Sequence, residues 1–294
     1  MQAPPRARIA ALVDGDEAGV RARRLRAFEQ AFVLIVVAEY WLRALPKWGL
    51  LGRHYDVLLA VATAAGAAIL AVSRLRRAGF ALLAASHLVL LWSEFPSSGN
   101  HAYLELYVCL LVVLLRHDDP DEQLLELRAL RWLAVIVLFW SGVQKLAHGY
   151  WVNGEYLVFS LGSETYRALL GWTLPADELA RVARLPGQVG DGPYRVEGAP
   201  VLLLLANATW LAEIVLAPAL VWRRTRAVAL LLALLLLAGI EVVAREVFFG
   251  LVFASLLLLF AHGDRQSAAR WLVAGALVVL ALSRLGVLPE VTYY

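Results

Sequence analysis

Apolar residues run along the chain in long blocks separated by short polar segments. The blocks come close to the length of a bilayer-spanning helix, about 20 residues. They occupy roughly 28–45, 55–73, 78–95, 101–115, 130–148, 200–222, 226–244, 246–262 and 268–285. The pattern predicts an all-α protein, a polytopic transmembrane helical bundle of about nine spans. The fourth block is short for a full crossing and starts earlier or runs obliquely. The seventh and eighth are parted only by a tight turn near Arg245. The organisation expected is a basic N-terminal segment (1–27), a transmembrane domain (28–262) and one additional C-terminal span within 263–294.

The polar segments differ in kind. Arginines cluster at Arg21–Arg26, at Arg74, Arg76 and Arg77, at Arg116, Arg128 and Arg131, at Arg223, Arg224 and Arg226, and at Arg265 and Arg270. With nine spans all five clusters fall on the N-terminal side, which the positive-inside rule makes cytoplasmic, and the C-terminus lies outside. The one long connection, Gly149–Ala199, falls on the outer side and holds Trp151, Tyr156, Phe159, Trp172 and Tyr194. Its stretch Glu155–Trp172 has near-helical apolar spacing and is expected as an amphipathic helix at the interface, with turns for the rest. Connections this long in a compact bundle more often serve as lids or binding elements than as linkers.

Composition agrees with the pattern. The 294 residues are 61% apolar and 17% charged, with mean hydropathy +0.67. An ordinary soluble domain carries about 25% charged residues, so a cytosolic globule is excluded; a disordered chain needs the opposite balance. The net charge of +3 sits in short clusters and does not point to nucleic acid. A lone Cys109 inside an apolar block leaves no intramolecular disulfide and no cysteine-based metal site. The arginine-rich N-terminus lacks the apolar core of a signal peptide, so the first span is expected to stay as an anchor.

Charged groups at membrane depth are costly and tend to mark function. Of 27 basic residues only Lys47 and Lys145 are lysines. Lys47 beside Trp48 reads as an interfacial anchor. Lys145 lies near the outer end of the fifth span, in Phe139-Trp140-Ser141-Gly142-Val143-Gln144-Lys145-Leu146. A desolvated amine can shed its proton and act as a base, which a guanidinium cannot; a lysine snorkelling from the span end gives the same pattern. His101 follows Asn100 at the outer start of the fourth span, and Glu105, four residues on, shares its helix face. Glu105 is therefore expected to orient the imidazole. An asparagine cap followed by an interfacial histidine is the plainer reading.

Four carboxylates complete the set. Glu39–Arg43 and Glu241–Arg245 have the i, i+4 spacing of ordinary helix pairs, and Glu246 opens the eighth span. Glu213 is mid-span, five residues before Pro218, with no basic residue within a helical turn. The six histidines form no H-x-x-x-H pair, so no metal is expected. His87, within the third span, reads as a satisfied core histidine. Paired interrupted half-spans of the kind transporters use are not visible.

The run Phe139–Leu146, followed by Trp151-Val152-Asn153-Gly154-Glu155, resembles the vitamin K-dependent gamma-carboxylase family and its bacterial relatives, the horizontally transferred transmembrane (HTTM) domain proteins. Their pattern is an aromatic-rich span, Gly-x-x-Lys-Leu, then Trp-Val-x-Gly. Asn100-His101-x-Tyr103-Leu104 resembles a second segment of the family, and Glu213, Pro218, Arg226 and Phe248–Phe253 match its later spans more weakly. The resemblance covers roughly 28–262. It implies a carboxylase-like or epoxidase-like enzyme working on reduced vitamin K or menaquinol with O2 and CO2 and without a metal. The acceptor would be a Glu-containing peptide or protein, reached from the outer face of a bacterial-type plasma membrane. By the same resemblance Lys145 is the base that deprotonates the quinol and His101 stands beside the reacting carbanion and CO2. Asn100, Tyr103, Trp140 and Glu213 are carried as cofactor-binding residues. The family has a histidine near Glu241, and its animal members carry a large outer β-rich region that this sequence lacks, which argues against processive carboxylation of a tethered protein. The competing expectation is a non-catalytic membrane protein that binds lipid or quinone and supports a partner.

Overall fold

Helix starts follow the hydropathy blocks closely, with two informative exceptions. The computed structural model describes residues 18–44, 53–95, 100–115, 119–161, 164–184, 198–244, 247–261, 274–276 and 278. Most of the described residues are helical, with no strand among them. In chain order they form α1 (Ala18–Ala44), α2 (Arg53–Ala71), α3 (Arg76–Glu94), α4 (Asn100–Leu114) and α5 (Pro120–His148). There follow α6 (Glu155–Ser160), α7 (Glu164–Leu170), α8 (Ala176–Arg184), α9 (Pro200–Val221), α10 (Arg226–Ala244) and α11 (Val247–Leu258). Most of the expected ninth span and most of the segment 1–27 lie outside the described residues, as does Lys47.

The exceptions are α1 and α5, each of which begins ten residues before its apolar block. The start of α5 has a local cause. Asp119 Oδ1 accepts a hydrogen bond from the backbone N–H of Asp121 at 2.9 Å. Pro120 fills the first helical position, and Asp121 and Glu122 sit in the first turn. Cap, proline and acidic residues all suit a helix N-terminus.

The chain divides into two compact units, Met1–Ala134 with Arg245–Tyr294, and Val135–Ala244; the division falls within α5. In the first unit α1 packs on α2, α2 on α3, and α3 on α4, while α11 returns against α1 and α4. Charged residues here are buried among the helices. Arg76, at the start of α3, donates through Nε to Glu29 Oε2 of α1 at 2.8 Å and through a terminal nitrogen to Glu126 Oε1 of α5 at 2.8 Å. Arg131 donates to the Leu259 carbonyl at the C-terminal end of α11 through two nitrogens, at 3.0 and 2.8 Å. Arg24 reaches the same oxygen at 3.4 Å. Guanidinium groups suit a helix C-terminus because its last carbonyls lack partners and carry partial negative charge.

These contacts revise the reading of the arginine clusters. Arg24, Arg76, Arg131 and Arg226, one from each of the first four, are buried. They hold helices together, a role that the reading of the clusters as topology signals left out. They also explain why α1 and α5 outrun their apolar blocks, since the charged turns pair inward.

The second unit is built on the C-terminal half of α5 and the hairpin of α9 and α10. Arg226 bonds back to the carbonyls of Leu220 and Val221, each at 3.1 Å, closing the end of α9. Leu157, Val158 and Leu161 of the α6 region form a small core with Leu174, Val182, Ala199, Leu202 and Ala206. The stretch expected as one interfacial helix, Glu155–Trp172, is thus broken into α6, α7 and a 3-10 turn. The segment expected as turns contains α8, whose Val182 joins that core. Among the described residues α9 is the one helix long and apolar enough to cross a membrane by length and composition.

Candidate functional site

Ser141 and Lys145 are four apart on α5, so one helix face presents both. Lys145 Nζ donates to Ser141 Oγ at 2.6 Å. The same nitrogen meets both carboxylate oxygens of Glu213, at 2.7 and 2.8 Å. Glu213 therefore has a basic partner 68 residues away, which corrects its reading as a lone carboxylate. Its side chain is 3% exposed and that of Lys145 17%, so the lysine is the less buried half of the pair.

Two features bring α5 and α9 close enough for this pair. The first is Gly142. A Cβ there would lie 2.7 Å from the Trp210 carbonyl oxygen, 2.8 Å from Ile214 Cγ1 and 3.0 Å from Glu213 Cβ. Only a residue without a side chain admits α9 at that distance. The second is the turn after α5. Gly154 takes φ 72°, a left-handed conformation that glycine adopts without strain. Asn207 on α9 donates to the Val152 carbonyl at 3.1 Å and accepts from Trp210 Nε1 at 2.9 Å. The turn is thereby tied to the helix that carries Glu213.

Gly142→Ala is expected to force the two helices apart by several tenths of an ångström. The predicted loss of stability is about 1–3 kcal/mol, the usual cost of overpacking a close contact. Thermal unfolding of the purified variant in detergent measures it. An unchanged melting temperature would contradict the close approach.

The turn also furnishes an aromatic wall. Lys145 Nζ stands 5.1 Å from the centroid of the Trp151 ring, within the range of a cation–π contact. Trp151 stacks on Tyr156 with centroids 4.7 Å apart and planes 19° from parallel. Sequence reading held Ser141 and Gly142 only within the run around Lys145 and passed over Asn207 and Trp210. Ser141 and Gly142 carry a signal in their spacing to Lys145, whereas the α9 residues become visible only once the helices are paired.

His101 belongs to the first unit. Its Nε2 lies 2.9 Å from Glu39 Oε1 of α1. Glu105, expected to orient it, instead faces His87, with Oε2 and Nε2 3.6 Å apart. The Tyr40 ring lies 5.7 Å from that of His87. All five side chains are buried, so α1, α3 and α4 enclose a polar cluster of two imidazoles, two carboxylates and a phenol. A helix presents residues four apart on one face, but neighbouring helices decide which of them meet; here α1 supplies the acid for His101 and α3 the imidazole for Glu105.

Tyr103 and Trp140 stand on exposed faces of α4 and α5. Asn100 opens α4. Its side chain, like those of Arg43, Arg245 and Glu246, lies outside the described residues, and with them the expected pairs Glu39–Arg43 and Glu241–Arg245. Among the described residues no group of three or more His, Cys, Asp or Glu side chains is arranged to hold a metal ion. Comparison of the chain with protein-family models, with curated proteins and with solved structures gives no match.

Proposed function

We propose that this is an integral membrane bundle of the HTTM type whose Lys145 serves as a base on a reduced quinone, in epoxidase- or carboxylase-like chemistry. The observation that carries the reading is the amine of Lys145, held between Ser141 and the buried Glu213 beside an aromatic wall. The membrane assignment draws support from the aliphatic side chains turned outward. Val201, Leu204, Leu211 and Val215 of α9 and Val228, Leu231 and Leu235 of α10 are exposed. Apolar surface of that extent suits hydrocarbon better than water. The nine-span count and an outward-facing site remain part of the proposal.

The residues of the site fit the ligand class. A planar ring finds the Trp151–Tyr156 stack, and a hydroxyl beside it finds Nζ. Passage of one proton from Nζ to Glu213 across 2.7 Å turns the ion pair into a neutral amine and a neutral acid. The amine then accepts the proton of an incoming hydroxyl. Ser141 Oγ, 2.6 Å from Nζ, fixes the direction of the nitrogen. A bound reduced quinone supplies that acidic hydroxyl and, with O2, the driving force for taking a proton from a glutamate γ-carbon, to which CO2 adds. The resemblance gives His101 a part in this reaction; within its own unit Glu39 fixes the imidazole.

The test is incubation of the purified chain with reduced vitamin K or menaquinol, labelled CO2 and a Glu-containing peptide. Quinone epoxide, with or without labelled peptide, is the expected product. Neither product, with a working positive control, would leave the competing reading, a bundle that binds lipid or quinone without turnover.

A further inference from the structure

We infer that Lys145 is also a nucleophile, and that the site takes hydrophobic aromatic aldehydes as a protonated imine on Nζ, a covalent use that needs neither a quinone nor O2. Four observations converge on it. Lys145 is the less buried member of the pair, its side chain 17% exposed against 3% for Glu213. Glu213 meets it with both oxygens, the place an iminium needs its counter-charge. Ser141 Oγ lies 2.6 Å from Nζ, within reach of a carbinolamine oxygen formed there. The Trp151 ring lies 5.1 Å from Nζ, a surface on which a flat apolar carbonyl compound can rest while its carbon meets the nitrogen.

The chemistry balances without an oxidant or reductant. Nζ passes one proton to Glu213, and its lone pair forms the C–N bond at the carbonyl carbon while the carbonyl oxygen is protonated. Loss of that oxygen as water forms the C=N bond, and the imine nitrogen keeps a proton. The sum is ammonium plus aldehyde giving iminium plus water, with Glu213 a carboxylate before and after. Lysine amines are the usual partners of carbonyl substrates for this step. An arginine in the same place could not perform it, and 25 of the 27 basic residues are arginines.

That scarcity makes the experiment clean. The full-length chain in detergent is treated with 2-naphthaldehyde and sodium cyanoborohydride, which fixes an imine as a stable secondary amine, and the adducts are mapped by peptide mass spectrometry. Lys47, the other lysine, and the N-terminal amine are internal references. The expected result is labelling of Lys145 at least about a hundredfold faster than Lys47, the low end of what a positioned acid–base partner contributes. Glu213→Gln is expected to slow the Lys145 label by a similar factor and leave the Lys47 label unchanged, the latter showing that reagent and protein are comparable. Ser141→Ala gives a smaller loss and serves if the Glu213 variant does not fold. Equal labelling of the two lysines, or a Lys145 rate indifferent to both substitutions, would overturn the inference. Quinone epoxide formed by the same preparation with no Lys145 adduct would overturn it while leaving the proposed function standing.

Discussion

Lys145→Arg is expected to abolish quinol-dependent turnover while leaving the fold intact. Arginine keeps a positive charge beside Glu213, so the link between α5 and α9 retains its electrostatic part. What it loses is the ability to give up a proton at any accessible pH. General-base contributions are about 10²–10⁴-fold, and a loss of that size is predicted for epoxide formation. Lys145→Ala is the weaker test, because it also strips the cation from a carboxylate that is 3% exposed and so costs stability. The decisive measurement pairs the epoxidation rate with the melting temperature of the arginine variant. Full activity with arginine would mean that only the charge matters, and the non-catalytic reading would take over. Loss of activity with an unshifted melt is the signature of a base.

The largest effect on stability is expected at Arg76. Its guanidinium joins three helices by bonding Glu29 and Glu126 at once, and its side chain is 10% exposed. Breaking a buried ion pair by removing one partner typically costs about 3–5 kcal/mol, and here two carboxylates lose the same cation. Arg76→Ala should therefore lower the unfolding midpoint steeply in detergent. Arg76→Lys should recover only part of the loss, since a point charge cannot bond two carboxylates with the fork geometry of a guanidinium. Arg76→Met combined with Glu29→Gln and Glu126→Gln should recover more, because no buried charge is left behind. If Arg76→Ala unfolds within about 1 kcal/mol of the parent, the cluster does not hold these helices together.

The contrast between Arg76 and Lys145 separates two uses of a buried cation. Arg76 has two carboxylates around one guanidinium in a closed core, an arrangement suited to fixing helices. Lys145 has one carboxylate, one hydroxyl and an aromatic ring, and keeps 17% of its side chain open. Openness and a transferable proton suit chemistry. The cluster of Glu39, His101, Glu105, His87 and Tyr40 resembles Arg76 in burial and Lys145 in its titratable groups.

Helix positions were legible because burial in this chain is written in block length. The second, third, fourth, sixth and seventh blocks match α2, α3, α4, α9 and α10 to within about two residues. The ends of α1 and α5 were not legible. Their added turns carry Arg24 and Glu126, which look like surface residues until the partners Leu259 and Arg76 are known. The long connection Gly149–Ala199 misled for a related reason: near-helical spacing over Glu155–Trp172 does not reveal the breaks that let it fold onto α9.

At the candidate site the division is sharper. Residue chemistry alone picked out Lys145, from its rarity and depth, and Glu213, from the absence of a local partner. Both are properties of one position and its helical neighbours, and a sequence states these directly. That Lys145 and Glu213 meet, that Gly142 permits it, and that Glu39 rather than Glu105 faces His101 are properties of pairs on different helices. Residues one helical turn apart are neighbours by covalent geometry. Residues 68 positions apart are neighbours only through packing, and only the tertiary structure decides which pairs the packing makes.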